Sequence, residues 1–161
     1  MNFEEVSQEF KNKWGVDSVP DLDAKNNALS LKETIGIYLP NHLTLFHERY
    51  GNLYTPNILD AVCKLNESEE KTKEVFDIQN FIALNEIVSA TKNYIEAGMP
   101  AGFIAFANDC MGNLFLIKKN DCLSEIEDCN IYVFDHNFIT IEKEYESLTD
   151  MLIFFNSLNK T

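Results

Sequence analysis

The stretch that decides the fold is Pro100-Ala101-Gly102-Phe103-Ile104-Ala105-Phe106-Ala107-Asn108-Asp109-Cys110-Met111-Gly112-Asn113, followed by the apolar run Leu114 to Ile117. Phe103 to Phe106 and Leu114 to Ile117 are each of strand length, and Asn108 to Asn113 between them is built of turn residues. Two such runs joined by such a loop read as an antiparallel hairpin. The same grammar recurs downstream, where Ile131 to Phe134 and Phe138 to Ile141 flank the polar corner Asp135-His136-Asn137.

Upstream the period changes from two to about four. Phe3, Val6, Phe10 and Trp14 form a helical stripe, with Asn2 as its N-cap and Gly15 as a left-handed C-cap. Val16 to Asn27 reads as a loop containing Pro20. Ser30 and Glu33 have capping-box spacing for a short helix that Gly36 stops. Leu39-Pro40 predicts the start of the next helix, with Leu43, Phe46 and Tyr50 facing inward and Gly51 ending it. Ile58 to Leu65 fits either a strand or a half-buried helix, and Asn66 to Glu74 reads as a solvated polar connection. Val75 to Leu84 predicts a strand, Asn85 caps a helix over Glu86 to Ala97, and Gly98 with Pro100 closes it. A last helix carries Leu148, Met151, Leu152, Phe155 and Leu158, with Ser147 and Asp150 at its N-cap and third position. The expectation is an α+β fold, residues 1–161 forming one domain with a central, mainly antiparallel sheet flanked by helices.

Composition sets the class of partner. The chain has 161 residues with 13 Lys+Arg against 26 Asp+Glu, a formal net charge of -13. Binding to a phosphate backbone or an anionic membrane depends on Lys and Arg, so direct nucleic-acid and membrane partners are excluded. What a field of this sign attracts is a basic protein. The N-terminal residues have no basic segment leading into an apolar one, and a soluble, cytoplasmic location is expected.

The residues that suggest chemistry are few. No Gly-x-Ser-x-Gly, phosphate-cradling glycine loop or His-Glu-x-x-His occurs, and no cofactor is expected. Cys63, Cys110, Cys122 and Cys129 form no Cys-x-x-Cys pair and read as reduced, partly buried thiols. Cys122, Cys129 and His136 recur every seven residues, but on loop and strand that spacing gathers no metal site. His42 and His47 lie five apart on one helix, too far around it to share a metal, and read as solvated or hydrogen-bonded surface residues. Asp109 and His136 suit an acid–base pair. With no nucleophile, metal or substrate pocket beside them they suit two turns better, with Asp109 accepting backbone N–H bonds and Gly112 supplying positive φ.

Taken in order, these pieces resemble the SUKH superfamily of Smi/Knr-type domains. The resemblance is carried by Leu39-Pro40 before a helix ending at Gly51, by Pro100 through Phe106, Asp109, Gly112 and Asn113, by Val133-Phe134-Asp135-His136, and by the closing Phe-rich helix. It spans roughly residues 28–158, leaving 1–27 as an N-terminal helix and loop. The chain departs from the family pattern at Asn52 and Met111, where glycine is frequent, and at Phe134, where tryptophan is. The resemblance implies an α+β fold and a binding role without chemistry. For many bacterial members that role is immunity, the neutralisation of a cognate toxin that is often a nuclease or a deaminase. For fungal members it is regulation of the cell wall and signalling.

The charge is also positional. Between Asp121 and Asp150 nine acids face one base, Lys143, a net of -8. Glu125, Glu127, Asp128, Asp135, Glu142 and Glu144 are therefore the expected contacts to a basic toxin domain, occupying the groove in which that domain grips nucleic acid. An intracellular regulatory or scaffold module of the same fold is the alternative, and an enzyme using Asp109 and His136 is a third.

Overall fold

A computed structural model describes residues 1–68 and 73–161 of the chain. The two hairpins form as the turn chemistry predicts. Five strands, β1 (Asn80–Phe81), β2 (Phe103–Asn108), β3 (Leu114–Lys118), β4 (Ile131–Asp135) and β5 (Thr140–Tyr145), lie side by side in chain order, and every neighbouring pair is antiparallel. Six α-helices accompany them among the described residues: α1 (Phe3–Trp14), α2 (Ala24–Ile35), α3 (Asn41–Tyr50), α4 (Ile58–Asn66), α5 (Ile87–Glu96) and α6 (Leu148–Ser157). The fold class is α+β, as expected. Among the described residues no helix is long and apolar enough to cross a membrane.

Helices cover the sheet unequally. On one face Ile104, Phe106, Phe115, Ile117, Ile131 and Val133 pack against Phe10 and Trp14 of α1, Phe46 of α3, and Met151 and Phe155 of α6. Phe10 sits edge-on to Phe81 and Phe155 at 6.1 and 6.3 Å, and Phe46 lies 4.4 Å from Phe81. The indole N–H of Trp14 donates to the Phe155 carbonyl at 3.1 Å, which ties the first helix to the last. On the opposite face Ala105, Leu114, Leu116 and Phe134 meet Met99 and the inward side of α5. The β2–β3 register slips between Ala105 and Ala107. That bulge puts Phe106 and Ala107 in the same core although they are consecutive, which a regular strand forbids.

Several local expectations are corrected. α2 begins at Ala24, behind Asp23, so Ser30 stands exposed inside the helix and caps nothing. The anchor of its start is Asp21, whose carboxylate accepts from the Asp23 N–H at 2.9 Å and whose carbonyl accepts from Ala24. Gly15 ends α1 with φ −73°, not left-handed; a Cβ there would meet the Lys11 carbonyl at 2.7 Å and Leu53 at 2.9 Å, so the requirement is close approach. Gly51 does take positive φ, +61°, and a Cβ on it would lie 2.0 Å from the Val19 carbonyl. Ile58 to Leu65, left open between strand and helix, is helix α4.

Of the strand expected over Val75 to Leu84, only Asn80 and Phe81 join the sheet. The backbone N–H and C=O of Val75 are both taken by the side chain of Asn66, and the carbonyls of Ile78 and Gln79 by Thr55. Those groups are therefore unavailable for a ladder. β5 starts at Thr140, two residues later than expected, and leaves Phe138 and Ile139 at the hairpin tip. The polar run Asn66 to Glu74 falls partly on residues 69–72, outside the described residues.

Candidate partner-binding surface

The segment from Leu123 to Asp128 is a strap pinned between two helix N-termini. α3 follows Pro40, which has no side-chain acceptor to cap it. The first N–H groups of that helix, Asn41 and His42, donate instead to the carbonyls of Ile126 and Glu127, both at 3.0 Å, and the Tyr38 N–H donates to Cys122 at 2.9 Å. At its far end Asp128 reaches α6. Its Oδ1 accepts from the Leu148 N–H at 2.7 Å and the Cys129 N–H at 2.9 Å. Its Oδ2 accepts from the Thr149 N–H at 3.1 Å and the Thr149 hydroxyl at 2.8 Å. An anion on these N–H groups also meets the positive end of the helix dipole. Ser147 caps the same helix through Asp150, as its spacing predicts.

His42 locks the strap sideways. Its Nδ1 lies 2.9 Å from Asp128 and its Nε2 3.1 Å from Glu127, and its ring stacks flat on Phe3 of α1 at 4.2 Å. Glu127 also accepts from the Asn41 amide at 3.1 Å while 69% of its side chain stays exposed. Glu125 is exposed, without an ion pair among the described residues. Both glutamates border an open groove of about 550 Å³ whose other wall is α2 and α3, with Lys25, Leu29, Lys32, Tyr38 and Leu45 along it. The Lys32 ammonium stands 4.9 Å over the Tyr38 ring. The groove thus has an apolar floor with basic and acidic rims.

The six acids proposed from the sequence separate into two sets. Glu125, Glu127 and Asp128 belong to the strap, with Asp128 committed to α6 and His42. Asp135, Glu142 and Glu144 line a separate shallow depression at β4 and β5. There the Lys73 ammonium lies 3.0 Å from Glu144, whose side chain is only 14% exposed, and 3.6 Å from the open Glu142. Its hydrogen bond to Glu144 is the main cause that raises the Lys73 pKa. Asp135 accepts from the N–H of Asn137 at 2.9 Å and so closes its own turn.

Asp109 and His136 do come near each other, joined through Asn113. Asp109 is buried; its Oδ1 accepts from the N–H groups of Met111 and Asn113, both at 2.8 Å, and its Oδ2 from the Asn113 amide at 2.7 Å. Asn113 Oδ1 then accepts from the His136 N–H at 3.1 Å, and His136 Nε2 sits 2.8 Å from the Met111 carbonyl. Gly112, at φ +89°, lies under the His136 ring, where a Cβ would come within 3.2 Å. Asp109, Gly112, Asn113 and His136 therefore knot two hairpin tips together, while Asp135 closes its own turn. Leu39 and Phe106 are buried core, Pro40 precedes α3, Gly51 ends it, and Pro100 is exposed ahead of β2.

Sequence reasoning missed three groups. His47, expected at the surface, is fully buried with both ring nitrogens unpartnered among the described residues, and desolvation lowers its pKa to about 4. Asp77 is buried with one oxygen unpartnered, and burial, with Asp109 nearby, raises its pKa to about 6. His42, also expected at the surface, holds the strap from α3 through Glu127 and Asp128. None carries a local signal, because each depends on what a distant segment brings to it. Cys122 and Cys129 are buried and Cys63 and Cys110 exposed, all four as thiols; the Cys122 neighbour and burial raise the Cys129 pKa. No group of three metal-ligating side chains assembles among the described residues.

No curated protein matches this chain. The matched family model covers residues 25–153, from the start of α2 through the whole sheet and into α6, with α1 outside it: the chain belongs to the SMI1 / KNR4 family (SUKH-1).

Proposed function

We propose that this chain is an immunity protein that binds the basic face of a cognate toxin domain in the cytoplasm and blocks it without chemistry of its own. The observation that supports this reading is the strap. Glu125 and Glu127 are held outward beside an open groove by a backbone that two helix N-termini and His42 fix in place. Preorganised carboxylates lose little conformational entropy on binding, and a field of net charge -13 speeds encounter with a basic partner. A toxin that acts on nucleic acid must carry basic surface for phosphate, and an acidic face seated there competes with that substrate. Family membership is consistent with this role. Asp109 spends both oxygens, and His136 its Nε2, on the loops, which favours binding over acid–base catalysis.

The test is association kinetics with a catalytically inactivated basic toxin domain that the chain protects against on co-expression. Glu125→Lys with Glu127→Lys is expected to slow association roughly tenfold and to flatten its salt dependence, with the fold intact. Unchanged association would place the interface elsewhere. Failure to protect growth against any basic toxin domain on co-expression would assign the chain to a regulatory module.

A further inference from the structure

Beside the two knotted hairpins lies an apolar surface that the acidic strap does not account for. Met111 at the β2–β3 tip is 63% exposed, and Phe138 and Ile139 at the β4–β5 tip are 75% and 65% exposed. The two tips stand at the same end of the sheet, because Leu114 pairs with Phe134, and His136 bonds across to the Met111 carbonyl. Ile139 has φ +53°, a left-handed conformation that a β-branched side chain adopts only at a cost. The loop is thus held against its own preference by Asp135, which accepts from Asn137 and Phe138, and by the Asn113–His136 clasp. Exposed aromatic and aliphatic side chains on a fixed backbone are what an interface anchor requires.

We infer that these tips are a second contact surface for the basic protein partner, with Phe138 as the apolar anchor; this rests on the function proposed above. Charge selects the occupant. Asp135 stands at the tip and the open Glu142 shortly behind it on β5, and the whole chain carries -13, so a second copy would bring like charge onto like charge. A basic surface containing an apolar pocket meets both features. The motif residues Asp109, Gly112, Asn113, Asp135 and His136 then act as positioning residues for the anchor.

The two surfaces predict different kinetics. Phe138→Ala and Met111→Ala, measured against the same inactivated toxin domain, are expected to accelerate dissociation at least tenfold while leaving association and its salt dependence unchanged. Ile139→Gly, which relieves the positive φ, is expected to raise the melting temperature and yet accelerate dissociation, a pairing that a merely structural role would not produce. Dissociation unchanged in Phe138→Ala and Met111→Ala overturns the anchor while leaving the acidic strap standing. A wild-type dimer in sedimentation that Phe138→Ala dissolves overturns the choice of occupant in favour of a second copy. Failure of the wild-type chain to bind any basic toxin domain overturns both this inference and the function on which it rests.

Discussion

Replacing Asp128 by alanine separates the two halves of the strap's role, because the same carboxylate that adds charge also holds structure. The substitution removes an acceptor from four N–H and O–H groups: those of Cys129, Leu148 and Thr149, and the Thr149 hydroxyl. It also removes the nearer of the two partners of His42 Nδ1, leaving the Thr149 hydroxyl at 3.3 Å. Losing a helix N-cap costs about 1 kcal/mol, and a part-buried donor left unsatisfied adds about 1–3 kcal/mol. With 15% of the Asp128 side chain exposed, water replaces some of these bonds, and Ser147 still caps Asp150. The expected loss is about 3 kcal/mol, which for a chain of this size lowers the melting temperature by roughly 6–12 °C. Urea unfolding followed by far-ultraviolet circular dichroism measures it, with the slope m unchanged. Glu127→Gln, at an open side chain, is expected to leave the midpoint where it is. A loss below about 1 kcal/mol in Asp128→Ala, or an equal loss in Glu127→Gln, refutes the pinning of the strap.

The two buried titrating groups give predictions of opposite sign. His47 has its pKa lowered from 6.5 to about 4, so the unfolded chain binds the proton first and stability is lost as pH falls from 6.5 to 4, by about 3 kcal/mol. His47→Leu should remove that loss, which the difference between wild-type and variant urea midpoints across this range measures. Asp77 has its pKa raised from 3.8 to about 6, so its contribution is full below 3.8 and is lost as pH rises through 6. Asp77→Asn should therefore stabilise the chain at pH 8, by up to about 3 kcal/mol, and change little at pH 3.5. A variant no more stable than wild type at pH 8 would contradict the burial of that carboxylate.

How far the sequence could be read depended on whether the deciding interaction was local. Both hairpins were legible because turn residues at Asn108–Asn113 and Asp135–Asn137 fix chain reversal over a few positions. α1 was legible through its stripe and α6 through Ser147, whose acceptor acts three residues away. The start of α2 was not, since Ser30–Glu33 has the right spacing while the anchor is the Asp21 turn, whose N–H donates to the His47 carbonyl. Val75 to Gln79 has strand-forming residues, but Asn66 and Thr55, far off in sequence, claim its backbone groups. The same rule governs the candidate site. Charge density pointed to 121–150, yet nothing in the sequence distinguishes Asp128, which caps a helix twenty residues on, from Glu125, which faces solvent. Asp109 and His136 resembled a catalytic pair because side-chain chemistry is visible in a sequence, whereas the bonds that occupy Asp109 and the His136 Nε2 are not.

Growth under co-expression tests the central claim most directly. Cells carrying an active basic toxin domain together with this chain are expected to grow with the wild-type sequence. Their growth is expected to fall when Glu125→Lys and Glu127→Lys are introduced into a chain whose melting temperature is unchanged. Growth with the charge-reversed chain equal to that with wild type would contradict the account, because the strap would then be dispensable for neutralisation.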